Sequence, residues 1–239
     1  AKPGTESKHD KLLQIYVTKT NAYVCIFVDE GLGGTVNNSQ SQKSICCVTD
    51  EFSAVNCLET IKQGFETKLV ICYETREDVI HLVKIVDKIL PRMLKSEVEL
   101  EFHKISKFGK KSEDLLSKNS LITNILIKSA KEKQISHISL ATSPLIFPST
   151  YVETLQKRIF SAGIIPHISL SGIDSEIMKN AKEIGMEKYV PKIEKFLKSN
   201  LTKSKSKLKN NEKTVKKIIK VKLGPNNVHT ILDSLEIEH

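Results

Sequence analysis

The chain has 239 residues, 39% of them hydrophobic and 27% charged, with a formal net charge of +9. That composition suits one sizeable globular domain with appendages. No apolar run reaches the roughly 18 residues of a membrane helix, and the opening AKPGTESKHD lacks the apolar stretch of a signal peptide. A cytoplasmic protein with no membrane partner is therefore expected. The charge is local. From Lys192 to Lys222 there are 12 lysines against Glu194 and Glu212, a block of +10, so the rest of the chain is close to neutral.

Residues 1–10 read as a polar lead-in. KLLQIYVT (11–18) and AYVCIFV (22–28) are β-rich runs that a short turn joins into a hairpin. The stretch 29–43, DEGLGGTVNNSQSQK, has the composition of a linker and sets a boundary at residue 40. From residue 44 strands and helices alternate. SICCV (44–48) reads as a buried strand, and SAVNCLETIKQG (53–64) as a helix closed by Gly64. TKLVICY (67–73) is a strand. REDVIHLVKIVDKILPRML (76–94) carries Val79, Ile80, Val83, Ile85, Val86, Ile89 and Leu90 at helical spacing. EVELEFHKI (97–105) alternates as a strand. The helix SLITNILIKSAKEKQ (120–134) and the strand HISLAT (137–142) follow. Then come the helix TYVETLQKRIFSAG (150–163), the strand IPHISL (165–170) and the helix DSEIMKNAKEIG (174–185), with Asp174 as N-cap.

Five strand–helix repeats predict an α/β, Rossmann-like fold: a five-stranded parallel sheet with helices on both faces, preceded by a short N-terminal β-hairpin and followed by a basic C-terminal extension. Three segments result: 1–40, 41–199 and 200–239. A further helix is expected at 191–199, a flexible low-complexity tail at 200–213, and a strand at 215–223 (VKKIIKVKL). The final VHTILDSLEIEH fits helix or strand. Ligands of such sheets sit beyond the carboxyl ends of the strands, which points to the loops after Val48, Tyr73, Ile105, Leu140 and Leu170.

The order of elements resembles the ThiI-type tRNA sulfurtransferases, the tRNA 4-thiouridine synthetase and thiamine biosynthesis family. There, the last strand of an RNA-binding THUMP domain leads through a Gly-Gly linker into a strand, a PP-loop of the form SGGxDS and a helix. Ala22, Tyr23, Val24 and the run Gly31 to Gly34 match the strand and linker. Ala54, Val55, Lys62, Gln63 and Gly64 match the helix. ISHISLATSPLIFPSTYVETLQ resembles the family's V-T-G-E-S…Q-T-L-E-N-L, and PHISLSGIDSEIMKNAKEIG resembles its R-P-L-I-G-M-D-K-E-E-I-I-x-x-A-K-x-I-G. The resemblance covers roughly residues 20–190. It implies an adenine nucleotide alpha-hydrolase (PP-loop) type of fold, with the N-terminal hairpin as a THUMP remnant. In an active member it implies ATP- and Mg²⁺-dependent adenylylation of a tRNA uridine, followed by sulfur transfer.

The chemical motifs depart from that pattern. The PP-loop falls on Val48, Thr49, Asp50, Glu51, Phe52 and Ser53. Thr49 and Asp50 replace the two glycines, Phe52 replaces the aspartate, and Ser53 alone is kept. A carboxylate about 4 Å from a phosphate charge costs on the order of 4 kcal/mol at an effective dielectric near 20. Asp50 in that place reads as a helix N-cap, satisfying the dipole without an anion. The T-G-E-S motif falls on Leu140, Ala141, Thr142 and Ser143, where only the serine survives. The family's sulfur-handling cysteine has no counterpart in SKNSLITNILIKSA.

The five cysteines, Cys25, Cys46, Cys47, Cys57 and Cys72, lack metal-binding spacing and read as buried thiols. His81 and His137 fit packing positions, while His103 and His167 lie where a cleft is expected. The lysine block has the density of a polyanion footprint without aromatics for base stacking. Its RNA-binding candidates are Lys198, Lys203, Lys205, Lys207, Lys209, Lys213, Lys216 and Lys217. The expectation is a degenerate, non-catalytic relative of the sulfurtransferases that needs no cofactor and binds RNA, most naturally tRNA, or a protein partner or second copy. The alternatives are an active sulfurtransferase using ATP and Mg²⁺, and an adenine-nucleotide-binding module like the stress proteins of this fold.

Overall fold

The computed structural model describes residues 14–25, 39–93, 95–109, 112–144, 146–170, 175–182 and 214–237. The expected lead-in at 1–10, helix at 191–199, tail at 200–213 and N-cap at Asp174 lie outside these residues. The chain divides into two compact units, 1–33 and 34–239. In the first, β1 (Gln14–Val17) and β2 (Ala22–Cys25) form the expected antiparallel hairpin, with Ile15 opposite Val24 and Val17 opposite Ala22.

The second unit is a doubly covered α/β sheet. In chain order it contains β3 (Lys43–Val48), α1 (Glu51–Lys62), β4 (Glu66–Tyr73), α2 (Arg76–Ile89), a 3₁₀ turn (Leu90–Met93), β5 (Glu97–Lys104), α3 (Ser112–Glu132), β6 (His137–Ser139), α4 (Ser149–Ser161), β7 (Ile165–His167), α5 (Ser175–Ala181), β8 (Val215–Lys222) and α6 (Asn227–Ser234). The strand order is β7-β6-β3-β4-β5-β8. The five strands β3 to β7 pair in parallel, as expected from the repeats. Strand β8 adds a sixth, antiparallel to β5, so the strand expected at 215–223 is part of the sheet. The closing segment is the helix α6.

Local chemistry accounts for most boundaries. α2 starts at the Thr75 cap, which accepts from the Asp78 amide at 3.1 Å, and turns Val79, Leu82, Val83, Val86 and Ile89 inward. Its regular helix stops before Pro91, whose ring cannot accept the next turn. α1 and α4 end at Gly64 and Gly163, which hold φ of 87° and 78°, left-handed values that favour glycine. α3 begins eight residues before the expected start, because Glu113 and Asp114 complement its amino end and Leu116 is fully buried.

The antiparallel edge is fixed by charge as well as by pattern. In the β5–β8 register Glu97 stands opposite Lys222 and Glu99 opposite Lys220. Glu101, only 1% exposed, accepts from His103 Nε2 and Ser129 Oγ, both at 2.8 Å. Lys216 Nζ of β8 lies 3.2 Å from the same carboxylate and also pairs with Glu132. Burial works against the Glu101 charge, but these donors win and hold its pKa at about 2.

Candidate functional site

The chain runs from β3 out to β4 and β5 on one side, then returns to β6 and β7 on the other. The sheet's switch point is therefore between the carboxyl ends of β3 and β6. It brings together the two motif positions read from the sequence: Val48 to Ser53 after β3, and Leu140 to Ser143 after β6.

The turn into α1 closes on itself. Asp50 is the N-cap, and its Oδ1 accepts from the Ser53 amide at 2.8 Å. Ser53 Oγ accepts from the Thr49 amide at 2.8 Å and the Asp50 amide at 3.0 Å, and donates to the Asp50 carbonyl at 2.9 Å. The Ala54 amide is bound to the Asp50 carbonyl. This is a complete capping box. The amides of Thr49, Asp50 and Ser53, which a phosphate cradle would turn outward, are spent inside the turn. Val48 is fully buried and Phe52 is 4% exposed.

Beside this turn lies a cavity of about 30 Å³, lined by Cys47, Thr49, Ser53, Asn119, Thr123 and Thr142 among others. It has room for a water-sized molecule, whereas pockets for small ligands run to about 300 Å³ and more. Phe52 does not line it. Thr142, 2% exposed, turns its hydroxyl to a place with no hydrogen-bond partner among the described residues. Ser143 is fully buried, and its carbonyl receives the Ile146 and Phe147 amides.

Carboxylates stand on the turns after β3 and β4, outside the lining of that cavity. Glu51 Oε1 lies 2.9 Å from His81 Nε2, and Glu74 Oε1 lies 2.7 Å from Lys118 Nζ. Asp78 accepts from the Glu74 amide, and burial raises its carboxyl above the usual aspartate value. Burial works against the Lys118 charge, but Glu74, with Asp50 and Asp78 beyond, holds its pKa above the usual lysine value. Lys118 is therefore committed to carboxylates.

The other expected residues separate. Cys46, Cys47, Cys57 and Cys72 are buried free thiols, and burial pushes Cys47 and Cys57 well above the usual thiol value. No group of three metal-ligating side chains occurs among the described residues. His103, expected to face a cleft, is 5% exposed and faces Glu101 inside the β5–β8 network. His167, expected near the crevice, is bonded to Gln63 at the opposite end of α1, where it and His137 flank Phe65 at 5.4 and 5.3 Å. His81, expected to pack, is a partner of Glu51. Of the lysine candidates, Lys198, Lys203, Lys205, Lys207, Lys209 and Lys213 lie outside the described residues. Lys216 and Lys217 are held in β8, paired with Glu101 and Glu132 and with Glu236 respectively. Sequence reasoning missed that network. Its signal was the match between EVELEFHK and VKKIIKVK, which becomes legible only once the two strands are known to be neighbours.

No helix among the described residues is long and apolar enough to cross a membrane. No protein-family model matches the chain, and no curated protein matches it. Solved structures do. A 4-thiouridine synthetase–RNA complex with bound ATP aligns with a TM-score of 0.55 at 16% identity, over 89% of this chain and 64% of that one. A protein from Pyrococcus horikoshii aligns with a TM-score of 0.51 at 14% identity, over 76% of this chain and 53% of that one. The chain thus spans less than two thirds of the length of either. At the level of fold, this is the mostly parallel Rossmann-like sheet found in a 4-thiouridine synthetase.

Proposed function

We propose that the chain is a degenerate ThiI-like domain that binds RNA, with tRNA as the natural class, and has given up ATP-dependent thiolation. The observation that carries this reading is the self-satisfied α1 turn: Asp50 and Ser53 consume the amides that a pyrophosphate needs, beside a cavity of about 30 Å³. ATP and Mg²⁺ have no place in this reading. The RNA half is supported by the +10 lysine block and by the likeness in fold to a protein crystallised with RNA. Lysines without interleaved aromatics contact phosphates without reading sequence.

Deleting residues up to 222 would remove a sheet strand, so the block is better neutralised in place. Replacing Lys198, Lys203, Lys205, Lys207, Lys209 and Lys213 with glutamine should weaken binding of an unmodified tRNA transcript and flatten its salt dependence. The slope of log K against log salt falls by roughly 0.7 to 0.9 for each phosphate that is no longer neutralised. An unchanged slope would remove the block from the binding reading. An active sulfurtransferase is the second reading, favoured by the ATP-bound neighbour of the same fold. Micromolar ATP binding by titration calorimetry, altered by Asp50→Lys, would establish it in place of the first.

A further inference from the structure

The end of the sheet remote from the switch point carries more lysine than the β5–β8 pairing uses. There, on the face that α3 covers, Lys43 pairs in register with Glu66, Glu97 with Lys222 and Glu99 with Lys220. Lys68 precedes Leu69, the partner of Leu100, and so stands beside Glu99. α3 ends at Glu132; the next residue, Lys133, pairs with Glu99, and Lys95 pairs with Glu66. Six lysines therefore stand against Glu66, Glu97 and Glu99, with Lys43, Lys220 and Lys222 exposed and Lys68 half-buried. The crowding is physical. Burial first, and then the charge of Lys95, hold Lys68 below the usual lysine value, with Lys43 adding to the effect and Glu66 and Glu99 opposing it.

We propose that this lysine-bordered sheet end, formed by Lys43, Lys68, Lys220 and Lys222, is a docking surface for the phosphate backbone of RNA. It rests on the RNA-binding reading above and gives the folded domain a share in that binding. Neighbouring strands lie about 4.8 Å apart and same-face residues about 6.7 Å apart along a strand. The four lysine positions thus span roughly 14 Å by 7 Å on the sheet, the reach of two or three successive phosphates. β8 also separates its lysines by role. Lys216 is tied to the buried Glu101, while Lys220 and Lys222 are exposed. Among the described residues β8 is the edge strand; its lysines resist pairing with another β8 and leave these charges open to a polyanion.

The test uses the full chain, a fluorescent unmodified tRNA transcript and a salt titration. The quadruple variant Lys43→Gln, Lys68→Gln, Lys220→Gln, Lys222→Gln should bind at least tenfold more weakly, with the salt slope reduced by roughly 2 units, the share of two or three phosphates. A control that loses equal charge elsewhere, Lys84→Gln, Lys88→Gln, Lys157→Gln, Lys179→Gln, should lose much less. A second variant confined to the exposed positions, Lys43→Gln with Lys222→Gln, guards against a folding defect and should also weaken binding, by about half of the quadruple variant's change in salt slope. If the sheet-end variants bind like the parent while neutralising Lys198 to Lys213 abolishes binding, this surface is refuted and the RNA reading stands. If the parent itself shows no salt-dependent tRNA binding, both fall.

Discussion

Replacing Ser53 with alanine separates a structural turn from a ligand cradle. Ser53 Oγ holds the Thr49 and Asp50 amides and donates to the Asp50 carbonyl. Orphaning each of these two partly or fully buried amides costs about 1 kcal/mol, while the Asp50 cap on the Ser53 amide remains. The expected loss is about 2 kcal/mol, or roughly 4–8 °C in Tm for a domain of this size. Thermal melts of the parent and of Ser53→Ala, each with and without millimolar MgATP, read both halves of the argument. A nucleotide present at a hundred times its Kd stabilises by about 2.7 kcal/mol, roughly 5–10 °C here. The parent should show no such shift. The reasoning is refuted if Ser53→Ala melts like the parent while MgATP raises the parent's Tm and not the variant's. The hydroxyl would then be serving phosphate and not the turn.

Three other perturbations probe the same fold. Glu101→Gln should cost about 3 kcal/mol at neutral pH in urea denaturation, the equivalent of a carboxyl held at about 2 instead of near 4.5. Because the folded pKa is depressed, this contribution is present above pH 4.5 and fades as pH falls toward 2. Parent and variant should therefore converge in acid, and a constant difference across that range would contradict the network. Thr142→Val removes a buried hydroxyl with no partner among the described residues, so it should be neutral or raise stability by about 1 kcal/mol. A loss greater than that would reveal a partner in the cavity. Lys216→Met should be more damaging than Lys220→Met, since only the first strips a cation from buried Glu101. Equal effects in chemical denaturation would argue against the division of roles within β8.

The parallel core was legible because its signals are local. Short apolar strand runs, and helices with apolar residues three and four apart that close at Gly64 and Gly163, depend on nothing distant. The Asp50 cap was legible for the same reason, since a capping box needs only residues i and i+3. What escaped the sequence was long-range. VKKIIKVKL reads as a strand but does not announce its neighbour. The partner is β5, more than a hundred residues earlier, and it is chosen by complementary charge and by the burial of Ile219 and Val221. His103 was misplaced for that reason: a histidine at the end of a strand looks cleft-facing until β8 and α3 close over it. His167 was misplaced because β7 is only three residues long, so its end lies by Phe65 and Gln63 and not at the switch point.

The α1 turn satisfies the Thr49, Asp50 and Ser53 amides from within the chain. A helix leaves its first amides without intrahelical partners, and at a switch point those amides must be met by a ligand, by water or by side chains. A cradle that waits for phosphate keeps them exposed and relies on small residues for close approach. Here Asp50 brings its own negative charge to the helix dipole, and the retained Ser53 bridges the two amides before it. The residue that resembles the family's motif thus takes part in closing it. A turn satisfied in this way gains stability that the apo form of a phosphate cradle lacks, and an incoming anion must break those bonds against the charges of Asp50 and Glu51. Restoring glycine at Thr49 and Asp50 would therefore open the amides and loosen the helix in one step. Such a variant should lose stability whether or not it gains affinity for a nucleotide.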